Sequence, residues 1–194
     1  MTGFLDIAAA RAELYERAQP TRSYIDFVHR HGIDVLKVGG FCGALAVVLI
    51  VEFPGGFFDF AEDGDENAVG GVVCEAIGFD SETVEDLVAW PVEQPGRVLS
   101  MYRRAPLVGM WQAMNPCTYT FGRPLNLHRH PLDWLKAGCN GAAIVVPQLA
   151  ARALIDLPGR FAPQDREHAH QVDRLIRNLS RDRMVVPRER RIAA

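Results

Sequence analysis

The chain has 194 residues, 48% hydrophobic, 23% charged and 9% aromatic, a globular composition that excludes a disordered, collagen-like or coiled-coil chain. A chain of this length buries roughly 70% of the surface its unfolded form exposes and needs neither metal nor disulfide to hold it. The formal net charge of −3 is the remainder of a strong asymmetry: twelve acids and no Lys or Arg lie between Lys37 and Arg97, and from Arg97 onward sixteen basic residues face seven acids.

Opposite charge in the two parts predicts mutual attraction within one fold, or a basic partner for the middle and an acidic one for the C-terminal half. Cys42, Cys74, Cys117 and Cys139 form no C-x-x-C pair, which removes zinc-ribbon and thioredoxin-like signatures. Met1 to Ala18 carries Asp6, Arg11, Glu13, Glu16 and Arg17 on an amphipathic pattern rather than the charged and then apolar regions of a signal peptide. Reduced thiols in a cytoplasmic protein are the expectation. The longest apolar run, Val38 to Val51, holds three glycines and is shorter than the roughly 20 residues a spanning helix needs. No membrane partner is expected.

Phe4, Ile7, Ala8, Leu14, Tyr15 and Ala18 recur at helical spacing and stop at Pro20; Ser23 is the expected N-cap of a second helix that Gly32 closes. From Leu45 the pattern turns β-branched, and Pro54-Gly55-Gly56 marks a hairpin into Phe57 to Phe60. Runs at Val69 to Ile77, Val84 to Trp90 and Arg97 to Tyr102 complete an expected antiparallel meander. PLNLHRH, PLDWLKAG, NGAAIVV and PQLAARALIDL then read as strand, helix, strand, helix, with Pro131 at a first helical position, Asp133 in the first turn and Gly138 as the stop. A last helix is expected from Pro163 to Leu179 with Val172, Leu175, Ile176 and Leu179 on one face, followed by a short strand at Met184 to Val186. The expected fold is therefore a single α+β domain over residues 1–194: N-terminal helices, an antiparallel β-meander, then a β-α-β-α-α part.

All six histidines stand in H-x-H pairs, at His29/His31, His128/His130 and His168/His170. Residues two apart share a face on a strand and not on a helix, so His128 with His130 is the pair suited to joint metal ligation. The same His130, directly before Pro131, also suits a helix cap. His168 is expected partly buried beside Val172, and His170 solvated. Asp63, Asp65 and Asn67 match the start of a calcium loop, but Ala68 and Cys74 stand where Gly and Glu are required. No G-x-S-x-G, P-loop or G-x-G-x-x-G is present. Trp90, Trp111 and Trp134 read as core or interface anchors.

The stretches DLVAWPVEQPGR (Asp86 to Arg97) and PLNLHRHPLDWLKAGCNGAAIVV (Pro124 to Val146) resemble an uncharacterised family of bacterial hypothetical proteins with no established function. The resemblance covers roughly the last 120 residues, carries hydrophobic, structural motifs and implies a bacterial cytoplasmic setting without assigning any catalytic residue. Together these features lead to a non-enzymatic accessory or binding module that needs no cofactor, with a protein partner or self-association. Nucleic acid is a further candidate partner, through Arg188, Arg190 and Arg191 in the Arg-rich tail. The alternative is a zinc- or magnesium-dependent enzyme built on His128 and neighbouring polar groups. The cysteine reading is checked by thiol titration of denatured, non-reduced protein: about four thiols per chain are expected, and two or fewer would reject it.

Overall fold

The computed structural model describes residues 6–39, 43–62 and 64–181, and it is an α+β fold with helices first, an antiparallel sheet next and a mixed sheet with helices last. Helix α1 (Ile7–Arg17) starts where the Asp6 carboxylate accepts the N–H groups of Ala8 and Ala9 and ends at Ala18, ahead of Pro20. The N-cap of α2 (Arg22–His31) is Thr21 rather than Ser23: the Thr21 hydroxyl accepts Tyr24 N–H at 3.2 Å. Gly32, at φ 62°, closes this helix in the left-handed conformation that glycine adopts without steric cost. A single turn, α3 (Val35–Val38), follows.

The first sheet contains β1 (Leu45–Phe53), β2 (Phe57–Phe60), β3 (Val69–Ile77), β4 (Val84–Pro91) and β5 (Leu99–Ser100), all antiparallel, in the order β2-β1-β3-β4-β5. The order departs from a simple meander because β3 returns beside β1 and leaves β2 at the edge. β1 is apolar on both faces and nine residues long, so a ladder on each side satisfies its backbone. The strand expected over Arg97 to Tyr102 contracts to Leu99–Ser100. Asp86, fully buried, takes the backbone N–H groups that would have extended it: its carboxylate accepts from Tyr102 at 2.9 Å and Arg104 at 2.7 Å, and also from Leu87 N–H and the Ser100 hydroxyl.

One face of this sheet, through Ile50, Val73, Leu87 and Ala89, packs on Ala10 and Leu14 of α1. Glu75 is buried on β3 and is neutralised from α1, where Arg11 Nε donates to Oε1 at 2.7 Å; the other oxygen accepts Ala44 N–H. Gly43, at φ 62°, passes so close that a Cβ there would collide with that carboxylate, so a larger residue would be strained and would displace Glu75. The opposite face, through Val72, Cys74, Val88 and Trp90, packs on Phe27 and Val28 of α2.

The second sheet, in the order β6-β8-β7-β9, comprises β6 (Leu107–Val108), β7 (Leu125–His128), β8 (Ala142–Ile144) and β9 (Phe161–Pro163). A short helix, α4 (Met110–Met114), follows β6; α5 (Pro131–Lys136) connects the parallel pair β7 and β8 as the sequence implies, while β6 is antiparallel to β8 and β9 parallel to β7. β6 and β9 are additions to the sequence reading. Pro163 belongs to β9, paired with Leu127, so the last helix, α7 (Arg166–Arg181), starts later than expected. Trp134, Leu135, Val108 and Ala143 join the Val72–Trp90 cluster and seal the two sheets together. On the far side, α6 (Pro147–Ile155) and α7 cover Leu125, Leu127 and Ala142 with Ala150, Leu154 and Val172.

The acidic middle draws its cations from both flanks. Arg11 pairs with Glu75, Arg30 with Glu93 at 3.9 Å, and Arg97 with Glu52 at 2.6 Å, while Arg129 and Arg177 pair within the C-terminal half. Cys74 and Cys139 are buried and Cys117 is exposed. Cys42, Asp63, the expected Met184–Val186 strand and Arg188, Arg190 and Arg191 lie outside the described residues. Among the described residues no helix is long and apolar enough to cross a membrane. Replacing Asp86 with Ala strands several buried donors and should lower the unfolding free energy by on the order of 3 kcal/mol, read by urea denaturation; a loss below about 1 kcal/mol would show that the carboxylate is not the organising group.

Candidate functional site

Parallel strands deliver their carboxyl ends to one edge of a sheet, and ligand clefts in such sheets form there. β7, β8 and β9 do so here, and the segments leaving them line a cleft of about 540 Å³, within the usual size of small-molecule sites. His130 comes from the turn after β7, Ile144 and Val145 from the end of β8, and His168 from the first turn of α7. Arg103 reaches the cleft from the loop that Asp86 organises.

His168 is only 3% exposed, yet it lines this cleft. Asp165 Oδ1 accepts its backbone N–H at 2.8 Å, and Gln164 N–H donates to its Nδ1 at 3.3 Å. A ring nitrogen that accepts carries no proton, so the neutral ring bears its hydrogen on Nε2. Burial is the main cause that lowers the His168 pKa below its ordinary value, with the Arg129 guanidinium adding to it. The ring is a neutral donor, and among the described residues Nε2 has no protein partner.

Arg129 Nη2 lies 2.9 Å from both Asp165 carboxylate oxygens, and Nη1 lies 3.7 Å from Glu167. Its backbone N–H donates to Gln164 Oε1 at 3.0 Å, which ties the end of β7 to the end of β9. Arg103 has a left-handed backbone, φ 53°, that turns its guanidinium toward β2, where Nη1 donates to the Gly55 carbonyl and the group lies 5.6 Å from the Phe57 ring centre. Among the described residues the polar wall is thus Arg103, Arg129, His130, His168 and Gln171, with no carboxylate lining the cleft. α6 opens beside it: Val146 gives no side-chain cap, and the first turn holds no acid.

His128 and His130 part company in the structure. His130 occupies the N-cap position of α5 without a capping hydrogen bond from its side chain, and a Cβ on Gly96 would lie 3.3 Å from its ring. His128 Nε2 instead pairs with the Asn140 carbonyl at 2.8 Å, and its Nδ1 is buried without a partner. Among the described residues no group of three His, Cys, Asp or Glu is placed to hold a metal ion. The site that forms groups His130 with His168 across two H-x-H pairs, and adds Arg103, which no motif singles out. Comparison with protein-family models, curated proteins and solved structures finds no match to this chain.

The neutral His168 has a consequence for stability. A histidine whose folded pKa lies below its unfolded value near 6.5 contributes stability that is complete above that pH and is lost as pH falls toward the folded value. Burial lowers the pKa of His31 as well, with Lys136 and Arg30 adding to it. The unfolding free energy should therefore fall from about pH 7 to about pH 5, and His168→Asn, which keeps an acceptor for Gln164 N–H but does not titrate, should flatten part of that fall. An unchanged pH slope in the variant would contradict a neutral His168.

Proposed function

We propose that this chain is a bacterial cytoplasmic binding module whose cleft at the carboxyl ends of β7, β8 and β9 holds a small anionic ligand. The observation that carries the reading is a lining that, among the described residues, holds two arginines and two histidines and no carboxylate. Charge-assisted hydrogen bonds from guanidinium to an anion are about twice as strong as neutral ones. His168 adds a donor already oriented by Gln164 and Asp165, so holding an anion oxygen there requires no reorganisation. A ring whose Nδ1 is engaged by a backbone N–H and whose Nε2 carries the proton serves as a donor rather than as a base. The resemblance of the Asp86–Arg97 and Pro124–Val146 stretches supports the bacterial cytoplasmic setting.

The test is thermal unfolding against a panel of sulfate, phosphate, AMP and octanoate at constant ionic strength. A ligand that binds only the folded state stabilises it by about 2.7 kcal/mol at a hundred times its Kd, so at least one anion should raise the midpoint saturably. His130→Ala and His168→Asn, separately, should weaken that ligand about tenfold or more. No saturable shift with any member of the panel, or a shift that both variants retain in full, would remove this reading.

A further inference from the structure

The charge and the floor of the cleft narrow the ligand class, an inference that rests on the anion-cleft reading above. Arg129 is already engaged by Asp165 and Glu167, so it brings little net positive charge to a ligand. Among the described residues Arg103 is the guanidinium of the wall that pairs with no carboxylate; its nitrogen donates to the neutral Gly55 carbonyl. One uncompensated cation matches a monoanion. A phosphate monoester, at about −1.5 to −2 near neutral pH, would meet excess negative charge from the two carboxylates behind Arg129.

The floor is aliphatic: Val98, Ile144, Val145, Pro147, Val172 and Leu175. Among the described residues no Phe, Tyr or Trp lines it, so they offer no aromatic platform of the kind on which proteins stack a nucleobase. His168 brings the second, independent indication of a ligand: a nine-tenths buried imidazole that lines the cleft with its Nδ1 already engaged by Gln164 N–H, which leaves the proton-bearing Nε2 as its donor. We infer that the cleft takes an aliphatic monocarboxylate, its head between Arg103 and His168 and its chain along the Val98–Leu175 floor.

Calorimetric titration of the full chain with hexanoate, octanoate and decanoate, all below micelle formation, tests this, with octan-1-ol, AMP and inorganic phosphate as comparators. Burying one methylene stabilises by about 0.8 kcal/mol, about fourfold in Kd, so affinity should climb about fourfold per added methylene. Octanoate should bind at least tenfold tighter than octan-1-ol. Arg103→Gln should abolish that preference while keeping the chain-length dependence, and Leu175→Asn should flatten the dependence while keeping the preference. Both variants are checked for folding by circular dichroism, and His168→Asn serves as a second probe of the head site should Arg103→Gln fail to fold.

Binding of AMP or phosphate without chain-length dependence among the carboxylates would overturn the aliphatic assignment and leave an anion cleft standing. Equal affinity for octanoate and octan-1-ol, unmoved by either variant, would mark non-specific apolar adsorption and overturn the assignment too. Silence from every compound would remove both readings together.

Discussion

Asp86 is a carboxylate with no solvent around it, and a buried charge survives only where several donors converge on it. Here backbone N–H groups of Leu87, Tyr102 and Arg104 and the Ser100 hydroxyl do so. Satisfying one side chain therefore fixes the path of the whole segment that carries the chain from the first sheet to the second. The Ser100 hydroxyl in turn accepts Arg103 N–H at 2.7 Å, which holds the left-handed turn at Arg103. The polarity of one buried group on β4 thus reaches the cleft through two successive hydrogen bonds.

A second buried carboxylate, Glu75, plays a corresponding part on the opposite side of the sequence. Its partner Arg11 is on α1, so the first helix is positioned by charge as well as by the apolar contact of Leu14. Removing either member would leave an unpaired ion in a dry layer, which costs far more than the pair contributes. Such contacts specify geometry more than they add stability. They tie the acid-rich middle of the chain to a cation supplied from its N-terminal flank.

Much of the fold was legible because local chemistry and global pairing agree: Pro20 ends α1, Gly32 caps α2, Pro54-Gly55-Gly56 turns β1 into β2, and Pro131 starts the helix between two parallel strands. Missed elements are those that exist only through their neighbours. β6 has two residues and β9 three, too few to carry a period, and each is a strand because β8 or β7 lies beside it. The cleft was illegible for a related reason. His130 and His168 sit in separate H-x-H pairs, and sequence spacing favoured His128 with His130; the turn at Arg129, tied to Gln164 and Asp165, sends those two rings to different neighbours. Arg103 carries no motif at all, and its place depends on a carboxylate seventeen positions earlier.

The lengths of the strands have a bearing on how the chain behaves at high concentration. The long apolar strands β1, β3 and β4, of nine, nine and eight residues, are all interior, whereas the outermost strands β2, β5, β6 and β9 have four, two, two and three. An exposed, long, apolar edge is the template on which sheets of separate molecules zip together. Here a foreign strand would find no more than four residues to pair with, and on β2 it would meet Asp59 at the rim. Segments such as VVLIVEF, hazardous if unpaired, are locked between partners, and among the described residues the sheets end in short strands that offer fibrillar growth little to build on.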